Sequence, residues 1–135
     1  MLKSLIEDRK KLLVIVGVVL AFVLLFVVVL SALSNSLHSK AVGEWKTEET
    51  YYFRQYGTQT NRMVKLNADG SAVKLLTNAK TGAILEVERG TWKVSGFRIV
   101  VTRETKYGVY PIEYRYDFLA DKLKNGEYYY AKIGV

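Results

Sequence analysis

Two hydrophobic patterns divide the chain. From Leu12 to Leu30 run nineteen residues without a charge or a strongly polar group, and seventeen of them are Leu, Ile, Val or Phe. At about 1.5 Å per residue such a run makes a helix of roughly 28 Å, close to the thickness of a hydrocarbon core. The many valines would favour strand in water, but an isolated strand in lipid leaves its backbone polar groups unpaired, so helix is the expected state. From Gly43 onward the period is two. In Ile112-Glu-Tyr-Arg-Tyr-Asp-Phe118, Ile112, Tyr114, Tyr116 and Phe118 share one face, and Glu113, Arg115 and Asp117 the other. Phe97, Ile99 and Val101 alternate with Arg98 and Thr102 in the same way.

Turn signals separate these strands. Val64 and Leu66 mirror Val73 and Leu75 across Asn67-Ala-Asp-Gly70, Ser95-Gly96 joins Trp92 and Val94 to Phe97, and Asn125-Gly126 has the residues of a type I′ turn before Tyr128. Along Leu85, Val87, Trp92 and Val94 the inward parity changes once, and Gly90 is the expected site of a bulge. Seven or eight short antiparallel strands with short connections predict an all-β meander, closed as a small barrel or strongly curved as a sheet, behind one N-terminal transmembrane helix. The predicted organisation is a cytoplasmic tail over 1–11, a membrane span over 12–33, a polar stem over 34–42 and one exported β domain over 43–135.

The flanks of the run orient it. Lys3, Arg9, Lys10 and Lys11 precede it and Lys40 and His38 follow, so the N-terminus is expected in the cytoplasm and the remainder outside the inner membrane. Ala32 and Ser34 form the small-x-small pattern of a signal peptidase site, but a nineteen-residue run exceeds the roughly 7 to 15 apolar residues of a cleaved leader and reads as a retained anchor bounded by Leu12 and Leu30. Within it, Gly17 and Ala21 form a small-xxx-small pair that would let a second helix approach. The chain has no cysteine, which excludes a lipidated cysteine and disulfides alike.

The formal charge of +7 leaves the β domain with a mild excess of positive residues, which suits a surface near anionic headgroups or an acidic partner but reads more simply as an ordinary solvated basic surface. A single histidine, placed on the stem, supplies neither a Ser-His pair nor a two-His metal site. No catalytic residue, metal site or cofactor is therefore expected. Glu86 with Glu88, and Glu113 with Asp117, read as outward solvated pairs. Ten tyrosines among lysines and arginines could form a base-stacking platform, but tyrosine is a favourable strand residue, and export separates the domain from nucleic acid. Trp45, Trp92, Phe97, Tyr114, Tyr116 and Phe118 are the expected barrel core or ligand-facing residues. Gly43-Glu-Trp-Lys46 and Gly90-Thr-Trp-Lys93 echo one another, but the turns that follow differ in spacing, so they read as two similar strand starts.

Gly43-Glu44-Trp45 opens the first strand as the G-x-W motif opens the first strand of lipocalins, and Asn67-Ala-Asp-Gly-Ser-Ala72, Arg89-Gly-Thr-Trp-Lys-Val-Ser-Gly96 and a closing Asn125-Gly-Glu-Tyr-Tyr-Tyr-Ala-Lys-Ile133 continue a hairpin rhythm. Over 43–135 the chain thus resembles the short lipocalin-like domains of bacterial envelope proteins. The resemblance implies an up-and-down barrel whose mouth takes a small apolar ligand or lipid. The chain lacks a T-D-Y motif before the penultimate strand and has Lys132 where a final-strand arginine is usual, departures that bear on ligand carriage more than on the barrel. Fifteen aromatic side chains in so short a domain would fill its interior. The expected role is accordingly an accessory or structural interaction subunit of a larger membrane or envelope assembly, its partners the lipid bilayer and other protein subunits. The alternative is binding of an apolar ligand, tethered or after release.

Retention of the anchor has a direct consequence. The mature protein should keep its full 15.4 kDa, and deleting Val14 to Val19 should shorten the run into leader range and release a fragment beginning at Asn35. Intact mass distinguishes the two, and an unmodified chain that already begins at Asn35 would refute the anchor.

Overall fold

The computed structural model describes residues 2–134. It begins with α1 (Leu2–Ala41), followed by β1 (Gly43–Thr47), β2 (Tyr51–Phe53), β3 (Thr58–Leu66), β4 (Ser71–Asn78), β5 (Ile84–Ser95), β6 (Arg98–Thr105), β7 (Gly108–Asp117), β8 (Lys122–Asn125) and β9 (Tyr128–Gly134). The chain separates into two units, residues 1–33 and 34–135. In the first, the side chains of Leu12 through Leu30 are all exposed, and α1 is long and apolar enough to cross a membrane.

In the second unit every strand pairing is antiparallel, and each strand from β3 to β9 pairs with the next. β1 closes the ring by pairing with both β9 and β3. β2 lies along the same edge of β3, Tyr51 to Phe53 opposite Thr60 to Thr58, and so prolongs the line of β1. The result is an eight-stave up-and-down barrel, which leaves no long open sheet edge.

Residues 34–41, expected as a polar stem, are instead the last two turns of α1 and enter the barrel core. Leu37 and Ala41, four residues apart and therefore on one face, are buried among Trp45, Leu66, Ala72, Trp92, Ile99 and Tyr116. His38 stacks on Trp92 with centroids 4.5 Å apart, and Val42 N–H donates to His38 O. His38 and Lys40 in the last turn also suit the negative end of the helix dipole.

Two turns differ from expectation in a way that moves side chains. Ser95 pairs with Arg98 and Asn125 with Tyr128, so the central residues are Gly96-Phe97 and Gly126-Glu127. The glycine has positive φ and its successor does not, which is the Gly-first arrangement of a type II′ turn in place of type I′. Phe97 thereby sits in the turn, exposed, outside the alternation that buries Ile99 and Val101. The turn after Leu66 is closed between Asn67 and Ser71, with Gly70 at positive φ as the third intervening residue. Leu66 then faces Ala72 and Val64 faces Lys74. The odd count reverses the expected parity: Ala72, Lys74 and Leu76 point inward, and Val73 and Leu75 outward.

β5 shows no parity change and no bulge at Gly90. From Glu86 onward its even-numbered residues, Glu86, Glu88, Gly90, Trp92 and Val94, are the more buried set, whereas at its start Ile84 is exposed and Leu85 half-buried. The register shift lies instead at the start of β5, where Glu86 and Ile84 pair with the consecutive Leu76 and Thr77 of β4 and Leu85 is the extra residue. Gly90 serves a different purpose: a Cβ there would stand 1.9 Å from the Thr102 carbonyl oxygen, so the strand needs glycine for the close passage of β6. Gly90→Ala should cost about 3 kcal/mol or more, because the obstacle is backbone, whereas Val87→Ala on the exposed face should stay within about 0.5 kcal/mol. Thermal melts of both variants check this, and equal melting temperatures would contradict the close passage.

Candidate functional site

Away from the end closed by the helix, the inner wall of the barrel becomes polar. β3 contributes Arg62, β4 Lys74 and Leu76, β5 Glu86 and Glu88, and β6 Arg103, and these line a cavity of about 190 Å³ together with Phe53 of β2. The register sets the side chains next to one another: Arg62 pairs with Leu76, Leu76 with Glu86, and Lys74 with Glu88. Three cations thus face two carboxylates, a formal surplus of one positive charge.

The two carboxylates are already engaged. Arg103 Nη1 donates to Glu88 Oε2 at 2.8 Å in a half-buried ion pair, and Tyr56 Oη donates to Glu86 Oε1 at 2.6 Å. That hydrogen bond to a carboxylate raises the Tyr56 pKa above the phenolic value. The cations are less well served. Arg62 lies over the Tyr128 ring at 4.7 Å, a cation–π contact. Lys74 has no carboxylate within ion-pair distance among the described residues, although Glu88 stands opposite it in register. Burial, and then the like charges of Arg103 and Arg62, hold its pKa below the usual lysine value. Arg103 Nε is buried without an acceptor.

Beneath this cavity the core is aromatic. Tyr114 and Tyr130 pack edge to face at 5.5 Å, and Tyr51 packs on Tyr128 at 4.5 Å. Burial pushes the Tyr130 hydroxyl up to about 12 against the opposing charge of Arg62, and burial followed by Tyr130 raises Tyr114 further. Both phenols stay protonated near neutrality and add no negative charge to the cavity.

The residues expected as core or ligand-facing divide into three groups. Trp45, Trp92, Tyr114 and Tyr116 are buried, and none of them lines the charged cavity. Phe97 is exposed in its turn. Phe118 lies beyond the end of β7, largely exposed, packed on Tyr116 with Lys40 over its ring. In the helix, Leu12, Gly17, Ala21 and Leu30 are exposed, and nothing lies within 4 Å of a Cβ built at Gly17.

Arg62, Lys74 and Arg103 were not among the expected site residues, and Glu86 and Glu88, expected to face solvent, line the cavity instead. Counting back in twos from the buried Trp92, through Gly90, would have turned both carboxylates inward. Glu113, by contrast, does face out, in an exposed pair with Arg98, and Asp117 accepts hydrogen bonds from the backbone of Leu119 and Ala120 in its turn.

Compared with known proteins, the chain matches no protein-family model, no curated protein and no solved structure. The long apolar helix and the closed antiparallel eight-stave barrel are compatible with a lipocalin-like architecture, and the fold stands on that geometry alone.

Proposed function

We propose that the chain is a non-catalytic, single-pass membrane protein of a cell envelope. In this reading α1 is retained as the anchor, its N-terminus is cytoplasmic, and the barrel outside the membrane is an interaction subunit of a larger assembly. Helical geometry across Ala32 and Ser34 supports retention, since a peptidase needs those residues extended.

One observation carries the interaction role. Met63, Leu75 and Val87 stand in register on three adjacent strands and face outward, forming an apolar stripe across β3, β4 and β5. A solvent-facing wall has no need of aligned apolar residues, whereas a wall that meets another protein does. The barrel interior supports the same reading. Aromatic side chains and the last turns of α1 fill one end, and the cavity at the other is small and charged, so a large apolar ligand finds little room. Lipocalin-like carriage of a lipid is accordingly the weaker alternative.

Extraction of native membranes in mild detergent tests this. The wild-type chain should migrate in an assembly several times its own mass, and Leu75→Glu should shift it to the single chain while leaving its melting temperature within a few degrees. A wild-type chain that runs alone, or that carries a stoichiometric apolar small molecule, would refute the interaction role.

A further inference from the structure

We infer that the charged mouth of the barrel is a binding site for a singly charged oxyanion, either a carboxylate or a phosphodiester, carried by a small molecule or a headgroup. The inference is independent of the outer stripe and of the assembly it serves. It begins with Lys74. The side chain turns into the barrel while its neighbours Val73 and Leu75 turn out, the reverse of what burial of apolar surface would select. Desolvating an ammonium is costly unless a counter-ion compensates it. Arg103 neutralises Glu88, and Glu86, which accepts from the neutral Tyr56 hydroxyl, is a single negative charge shared between two cations, Lys74 and Arg62.

The wall is therefore one negative charge short, and the Nε of Arg103 is a buried donor without an acceptor. A monoanion restores the balance, whereas a dianion would overshoot it. Size sets a second limit. A cavity of about 190 Å³ holds roughly six waters at about 30 Å³ each, enough for an oxyanion group and a few attached atoms but not for an acyl chain. Phe53 and Leu76 offer a short apolar wall for those atoms, and Glu86 offers an acceptor for a hydroxyl or ammonium beside the anion. A shallower groove adjoins the cavity along Glu88 and Arg103 and leads to Tyr107 and Tyr110, where a larger body attached to the anion would lie.

The test uses the full chain in non-ionic detergent, with acetate and dimethyl phosphate as probes and chloride at equal ionic strength as the reference. Two quantities are read: the melting temperature, and the rate at which an amine-acylating reagent modifies Lys74, followed by peptide mass. The expected result is a rise of roughly 5 to 10 °C at about ten times the Kd, with slowed modification of Lys74 relative to exposed Lys93. Lys74→Met should abolish the rise. Response to acetate alone identifies a carboxylate ligand, response to dimethyl phosphate alone a phosphodiester headgroup, and response to both the shared chemistry. If neither probe exceeds chloride, or if Lys74→Met responds as the wild type does, the inference is overturned. Should Lys74→Met fail to fold, protection of Lys74 in the wild-type chain decides the matter alone.

Discussion

The hydrogen bond from Trp45 Nε1 to the carbonyl of Ala41, 2.9 Å long and fully buried, joins the two ends of the folding problem. Ala41 is the last residue of the helix, and Trp45 lies at the centre of the strand that closes the barrel against both β3 and β9. An indole placed in the core must find an acceptor for its N–H or lose the stability its burial brings. Here a carbonyl left free by the end of the helix supplies it. Closure of the barrel and docking of residues 34–41 therefore depend on the same contact. The second tryptophan repeats the solution at the same end: Trp92 Nε1 donates to Asn67 O, its backbone N–H donates to Gly70 O, and its ring carries His38. Lys132 Nζ adds a further donor to Lys40 O at the helix end.

That end is dry and the other is not, and the difference assigns the barrel its chemistry. Where Leu37 and Ala41 enter, the inward positions are Leu66, Ala72, Trp92 and Ile99. Two to six residues further along β3, β4 and β5 the same inward rows become Arg62, Lys74, Glu88 and Glu86. A chain with no disulfides concentrates apolar burial at one end, where helix and sheet meet, and is then able to carry charges at the other. The aromatic layer of Tyr114, Tyr128 and Tyr130 separates the two, with ring bodies packed on the core and Arg62 on the face of Tyr128. A container for a large apolar molecule would need the opposite distribution.

Much of this was legible in the residues. Nineteen apolar positions define the helix, and period-two alternation with short turns gives the strands and their antiparallel order. Where the reading failed, it failed for local reasons. An odd count in the turn after Leu66 exchanges Val73 and Leu75 for Ala72, Lys74 and Leu76, and composition favours the wrong choice. Leu85 and Val87 attract the inward assignment for the same reason, which hides Glu86 and Glu88. Phe97 and Phe118 continue an alternation into turns, where it no longer holds. Residues 34–41 look polar because two side chains, Leu37 and Ala41, make the buried contact, and a spacing of four on one helical face was the available signal.

The most direct measurement is the thermal unfolding of Leu37→Ala in the full-length chain, followed by near-ultraviolet circular dichroism of the tryptophans and tyrosines. Leu37 is 1 % exposed and lies inside the barrel, so truncating it should cost about 2 to 5 kcal/mol and lower the melting temperature by roughly 10 °C or more. An unchanged melting temperature would mean that residues 34–41 are a solvated stem and that the barrel closes without them.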